Sequence, residues 1–103
     1  MICVVSGDYG KPCPAVVVQS DLFNETHDSL TVCPITSHIS EAPLFRLSLS
    51  PNKQNGLKVT SQVMVDKLMS VRRDKLHEKV GRLSEYQINK LNDAIGLWLS
   101  IKN

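Results

Sequence analysis

The chain has 103 residues, of which 42% are hydrophobic and 21% charged, and a formal net charge of +2. That balance belongs to a folded globular protein rather than a disordered one, and the length allows one core that pairing with a second copy would help to stabilise. A charge this small does not by itself establish a nucleic-acid partner, and no apolar run approaches the roughly 18 to 20 residues that span a bilayer. Residues 1–103 are therefore expected to form one domain. With no secretory leader pattern at Met1 to Gly7, the expected location is the cytoplasm, with no membrane contact.

The first strand is expected at Ile2 to Val5. Gly7 and Gly10 then free the backbone, while Pro12 and Pro14 fix φ on either side of Cys13, and the following valines require burial. Position 13 is thus held rigidly at the mouth of a second strand, Pro14 to Ser20, whose unbroken apolar run fits burial on both faces. Asp21 to Ser29 reads as a surface loop. Leu30 to Thr36 returns to β-formers, and Pro34, which lacks a ladder donor, sets Thr36 and Ser37 near its end.

Phe45 to Ser50 alternates apolar and polar residues, as a strand with one face in the core does. Pro51 to Gly56 is a turn cluster in which Asn55-Gly56 tolerates positive φ, so a hairpin is expected with Leu57 to Val59 and Ser61 to Leu68 as its returning arm. On that arm Val63 and Val65 share one face, and Met64 and Asp66 the other. Arg72 to Leu76 reads as a helical turn, followed by a short extended piece around Val80. Ser84 and Gln87 have the spacing of a capping box, so a helix starts at Glu85, with Ile88, Leu91, Ala94, Ile95 and Trp98 as its apolar stripe.

Basic residues gather between Lys67 and Arg82, a pattern that by itself reads as a solvated face. The 3 cysteines are odd in number and show no C-x-x-C spacing, which argues against a disulfide framework or a zinc site. Cys3 and Cys33 read as small buried hydrophobes, and Cys13 less firmly so. His27, His38 and His77 share no motif and read as surface residues, with His38 standing beside the Thr-Ser pair. Several short antiparallel strands and one closing helix define a mainly β fold, either a partly open barrel or a two-sheet sandwich.

The ordered series Gly10-Lys11-Pro12-Cys13-Pro14-Ala15-Val16-Val17-Val18, Val32-Cys33-Pro34-Ile35-Thr36-Ser37, Asn55-Gly56-Leu57 and Ser61-Gln62-Val63-Met64-Val65-Asp66-Lys67-Leu68, with the capped terminal helix, resembles the MazF/PemK toxins over nearly the whole sequence. The resemblance implies an SH3-like barrel of the MazF/PemK/CcdB type that forms a homodimer, and a cognate antitoxin laid across it. It also implies cleavage of single-stranded RNA without metal or cofactor. In that chemistry the ribose 2′-hydroxyl attacks the adjacent phosphorus, leaving a 2′,3′-cyclic phosphate and a 5′-hydroxyl. The reaction needs a proton acceptor, a proton donor and positive charge at the phosphate.

The family's loop arginine falls on Cys13, its strand-end hydroxyl on Thr36 with Ser37 beside it, and a carboxylate of some members on Asp66. The arginine that precedes that carboxylate is Met64 in this chain. By the same resemblance Lys11, Gln19, His38, Arg46 and Lys67 are the candidate RNA-binding residues. Relatives also open with an Arg-Gly-Asp or Arg-Gly-Glu segment that this chain lacks, which leaves either a displaced start or a short first strand.

A thiol cannot imitate the planar, permanently charged donor pair of arginine. Its loss, by analogy with deleting one oxyanion donor, costs roughly 100 to 1,000-fold in rate. The expectation is an attenuated ribonuclease. Two other readings remain open at this point: a gyrase poison of the CcdB type, faintly suggested by Gly96-Leu97-Trp98, and a catalytically dead module that titrates antitoxin.

Overall fold

The structure, a computed structural model, describes residues 1–6, 12–18, 26, 28–42 and 44–101. Lys11, Gln19, His27 and most of the loop expected after the second strand lie outside the described residues. Seven strands and a helix follow one another along the chain: β1 Ile2–Ser6, β2 Pro12–Val17, β3 Ser29–Thr36, β4 Arg46–Leu49, β5 Ser61–Met64, β6 Met69–Arg72, β7 Leu76–Gly81 and α1 Glu85–Trp98. Short 3-10 turns occupy Val65–Lys67 and Arg73–Lys75.

All strand pairs are antiparallel, in the order β4-β5-β3-β2-β1-β7, with β6 also on β3. Among the described residues no pairing joins β4 to β7, so the strands form a curled, open version of the expected barrel. Strand β3 is the hub. One edge pairs with β2 from Val32 to Pro34, while the other is divided between β6 at Ser29 to Val32 and β5 at Ile35 and Thr36.

The division corrects the expected continuous arm from Ser61 to Leu68. Ile35 pairs with Val63 and Val32 with Met69, so three steps on β3 correspond to six on the partner segment. The three additional residues are Val65–Lys67, which form the 3-10 turn. Period-2 reading missed this corner because Val63 and Val65 are both fully buried, as a straight strand would also place them. Leu57 to Val59 is likewise not strand; the turn cluster instead folds back on itself.

The central strands are buried on both faces. One cluster gathers Ile2, Val16, Cys33, Ile35, Leu49, Val63, Val65, Leu83 and Leu91. The other gathers Cys3, Val5, Ala15, Val17, Leu30 and Val32. This is the arrangement that the unbroken run of valines in β2 requires, since alternate side chains must leave on opposite faces.

The helix begins where its capping box sets it: the Gln87 amide donates to Ser84 Oγ at 3.1 Å, and the Ser84 amide donates to Gln87 Oε1 at 2.9 Å. The middle of its stripe packs most fully. Leu91 is buried and Ala94 and Ile95 sit against the core, whereas Ile88 and Trp98 stay 41% and 48% exposed. Within the 14-residue helix, Trp98 is half covered, its ring tilted against Phe45 with centroids 5.6 Å apart. At the far end Ser100 takes φ 58°, and the Ile101 amide reaches Gly96 O at 2.8 Å. Together with the Ser100 amide on Leu97 O at 3.3 Å, this forms a Schellman closure that satisfies the last carbonyls.

Candidate functional site

Position 13 lies at the start of β2, where Cys13 pairs with Val5 of β1 and keeps an exposed, free thiol. The β2–β3 pairing runs from Val17↔Val32 to Ala15↔Pro34. Carried on by two residues, the same register would set Cys13 opposite Thr36. The observed β2–β3 pairing itself stops at Ala15↔Pro34, and Thr36 pairs with Gln62 of β5.

Cys13 lines an open groove with Ser6, Pro34, Met69, Arg72 and Lys75 among its walls. Arg72 is held by Asp74, Nη2 to Oδ2 at 2.7 Å, both side chains being well exposed. His77 lies in β7 rather than in a loop, and its Nε2 makes a short hydrogen bond with Ser6 Oγ on the groove wall. The sequence reading did not single out Ser6, Arg72 or Lys75 for this site. The Lys67 to Arg82 basic cluster is the signal for Arg72 and Lys75, but spacing along the chain does not reveal that β6 and the following turn line the same groove as the start of β2.

Thr36 ends β3, and its Oγ1 accepts from the His38 amide at 3.1 Å. This is the local capping contact open to any strand-end threonine; with its oxygen so engaged, the hydroxyl retains its proton for donation. Ser37 and His38 follow and are exposed. None of Thr36, Ser37 and His38 is part of the Cys13 groove lining.

Asp66 and Arg46 meet on a different surface. Arg46 pairs with Met64 across β4 and β5, and its Nε lies 3.2 Å from Asp66 Oδ1. Both side chains are largely buried, at 13% and 16% exposure, so the pair is not on a solvated face. Those two atoms attract as charges without the alignment of a hydrogen bond, and neither has another hydrogen-bond partner among the described residues. Arg46 thus approaches Asp66 from the neighbouring strand, while position 64 on the chain's own strand holds a methionine. Lys67 next to the pair is exposed.

Beside the pair, Gln62 is nearly buried and fixes the loop after β3: its Nε2 donates to Ser40 O at 2.9 Å and its Oε1 accepts from the Ser40 amide at 3.0 Å. Of the expected residues, Arg46 and Asp66 are in contact, whereas Cys13 lines its groove without Thr36. Among the described residues no three His, Cys, Asp or Glu side chains cluster as a metal site. No helix is long and apolar enough to cross a membrane.

A curled antiparallel sheet closed by a capped helix has clear counterparts among known proteins. The chain belongs to the family of PemK-like, MazF-like toxins of type II toxin-antitoxin systems, matched over residues 2–99. More particularly, it is 38% identical over 92 residues to the probable endoribonuclease MazF of Mycolicibacterium smegmatis, covering 89% of this chain and 84% of that protein. It is 32% identical over 93 residues to endoribonuclease MazF9 of Mycobacterium tuberculosis, covering 85% and 78%.

Solved structures agree on the fold. The Mycobacterium tuberculosis toxin MazF-mt6 superposes with a TM-score of 0.87 at 22% identity, covering 99% of this chain and 98% of that one. A mycobacterial endoribonuclease solved in complex with its cognate antitoxin gives 0.85 at 19% identity, covering 99% and 93%.

Proposed function

We propose that residues 1–103 act as one toxin domain that cleaves single-stranded RNA without a metal, at a rate reduced by the cysteine at position 13. The observation that supports this reading most is the placement of Cys13: exposed, held by pairing with β1 and lining an open groove whose wall carries Arg72 and Lys75. The 2′-hydroxyl of the substrate gives up its proton as it bonds to the adjacent phosphorus, the P–O5′ bond breaks and the 5′-oxygen takes up a proton, so that cyclic phosphate and 5′-hydroxyl ends result with no net change in protons. Thr36, Ser37 and Asp66 are the candidate catalytic side chains in addition to the Cys13 position. A cytoplasmic location fits a toxin whose substrate is messenger RNA.

The active unit is a homodimer countered by a cognate antitoxin. Support comes from Leu97, Trp98, Leu99 and Ile101, a run of exposed apolar side chains at the end of α1. The likeness to an endoribonuclease solved with its antitoxin points the same way.

The test compares the chain with its Cys13→Arg variant on single-stranded RNA in the presence of EDTA, with the product ends mapped. The variant is expected to cut roughly 100 to 1,000-fold faster and to leave cyclic phosphate ends. Equal rates would refute attenuation, and cleavage abolished by EDTA would refute the metal-free chemistry. If neither form cuts RNA, the ribonuclease reading falls, and the gyrase poison and the catalytically dead antitoxin-binding module are the readings left.

A further inference from the structure

A second basic feature lies beyond the Cys13 groove. Lys53, Lys79 and Arg82 line one depression together with Gln54, Val80 and Gly81, and no carboxylate is among them. All three cations are exposed, and none takes part in either ion pair found among the described residues.

Their convergence is built into the backbone. Asn55 is fully buried and ties the 51–56 turn together through Ser50, Asn52 and Leu57. That turn is pressed onto the end of β7. A Cβ at Gly56, whose φ is +69°, would lie 2.1 Å from Val80 O, and one at Gly81 would lie 2.3 Å from the Asn55 carbonyl. The Arg82 amide completes the contact on Gln54 O at 2.9 Å. Two glycines thus let the turn and the strand end meet at backbone distance, and the cations of both are fixed around one floor.

Lysines on an edge strand commonly guard it against pairing with other chains. That role accounts for Lys79 on β7 but not for Lys53 and Arg82, which come from outside the strand. Strand β7 connects the two basic places: Lys75 precedes Leu76 in the Cys13 groove, and Gly81 borders the depression. The span from Leu76 to Gly81 is about 17 Å of extended chain.

We propose that Lys53, Lys79 and Arg82 form a binding site for the phosphate backbone of single-stranded RNA, holding nucleotides that flank the segment lying in the Cys13 groove. The ribonuclease reading supplies the choice of ligand, and the test separates the two. Phosphate contacts add affinity without sequence preference, and on single strands each neutralised phosphate contributes about 0.7 to the salt slope of binding. Three such contacts are worth a slope of about 2, or about 100-fold in affinity between 1 M and 0.1 M salt.

The experiment measures binding of a labelled 2′-O-methyl single-stranded RNA, which cannot be cut by 2′-hydroxyl attack, across a salt series. The proteins are the unaltered chain, the variant Lys53→Gln/Lys79→Gln/Arg82→Gln, and the control Lys58→Gln/Lys90→Gln, which removes exposed lysines outside the depression. The triple variant is expected to bind about 100-fold more weakly at 0.1 M salt, with a slope smaller by about 2. The control keeps both affinity and slope. An unchanged slope in the triple variant, an equal loss per charge in the control, or no RNA binding by the unaltered chain would overturn the site. A polyglutamate peptide that binds as tightly as the RNA and is lost equally in the triple variant would reassign it to an acidic polypeptide. Failure of the Cys13→Arg form to cut RNA would sink the catalytic reading while leaving this binding result to stand on its own.

Discussion

Asn55→Ala tests whether the turn that carries Lys53 is held by one buried amide. Asn55 Oδ1 accepts from the Asn52 amide at 3.1 Å and the Leu57 amide at 2.9 Å, and its Nδ2 donates to Ser50 O at 2.8 Å. At about 1 kcal/mol net for each bond, alanine forfeits about 3 kcal/mol, and the vacated space around a fully buried side chain gives water little room to compensate. For a domain of this size that corresponds to a fall in Tm of about 12 to 24 °C. The comparison is Asn52→Ala, which removes an exposed partner accepting one bond, from the Asn55 amide at 2.7 Å, and should cost about 1 kcal/mol. Urea and thermal unfolding, read by circular dichroism at one fixed protein concentration, measure both, since association would make the midpoint concentration-dependent. If Asn55→Ala costs no more than Asn52→Ala, the buried amide is not what holds the turn.

Two other outcomes are expected. Because Arg46 and Asp66 sit largely out of water, Arg46→Ala or Asp66→Ala should each destabilise the fold by about 3 kcal/mol; the double variant should cost clearly less than the sum, and additivity in urea denaturation would refute the coupling. Burial pushes the Cys33 thiol from 9.0 up to about 11. The folded state therefore favours the neutral thiol, so stability from this group is complete below pH 9 and falls by about 1.4 kcal/mol per pH unit until pH 11. Cys33→Ala should show a shallower decline over that window in unfolding at stepped pH, and an identical decline would refute the assignment.

The parts legible in the sequence were those encoded within a few residues. Ser84 and Gln87 define their cap by spacing, and the helix starts at Glu85 as expected. The valine run of β2 announces two buried faces, and Asn55-Gly56 announces a turn with positive φ at Gly56. The parts that were not legible depend on distant pairing. The corner at Val65–Lys67 preserves local alternation and becomes visible only against β3. Likewise, Trp98 has helical spacing for burial, but whether a side chain at that phase is covered depends on how far the sheet extends beneath it. At the site, Cys13 was legible from the prolines that flank it, whereas Lys75 and Ser6 entered the groove through the fold and not through any motif.

The corner on β3's partner segment has a further implication. A strand repeats its facing every two residues, so an insert of three reverses the alternation of everything after it. Val63 and Val65 contribute to the core beneath α1, and Val71, beyond the corner, contributes to the core on the other side. The segment works as a phase shifter whose information lies in its length. The identity of the exposed side chain at Lys67 does not set this phase, but adding or deleting a single residue there would turn β6 over and expose the face that closes the second core.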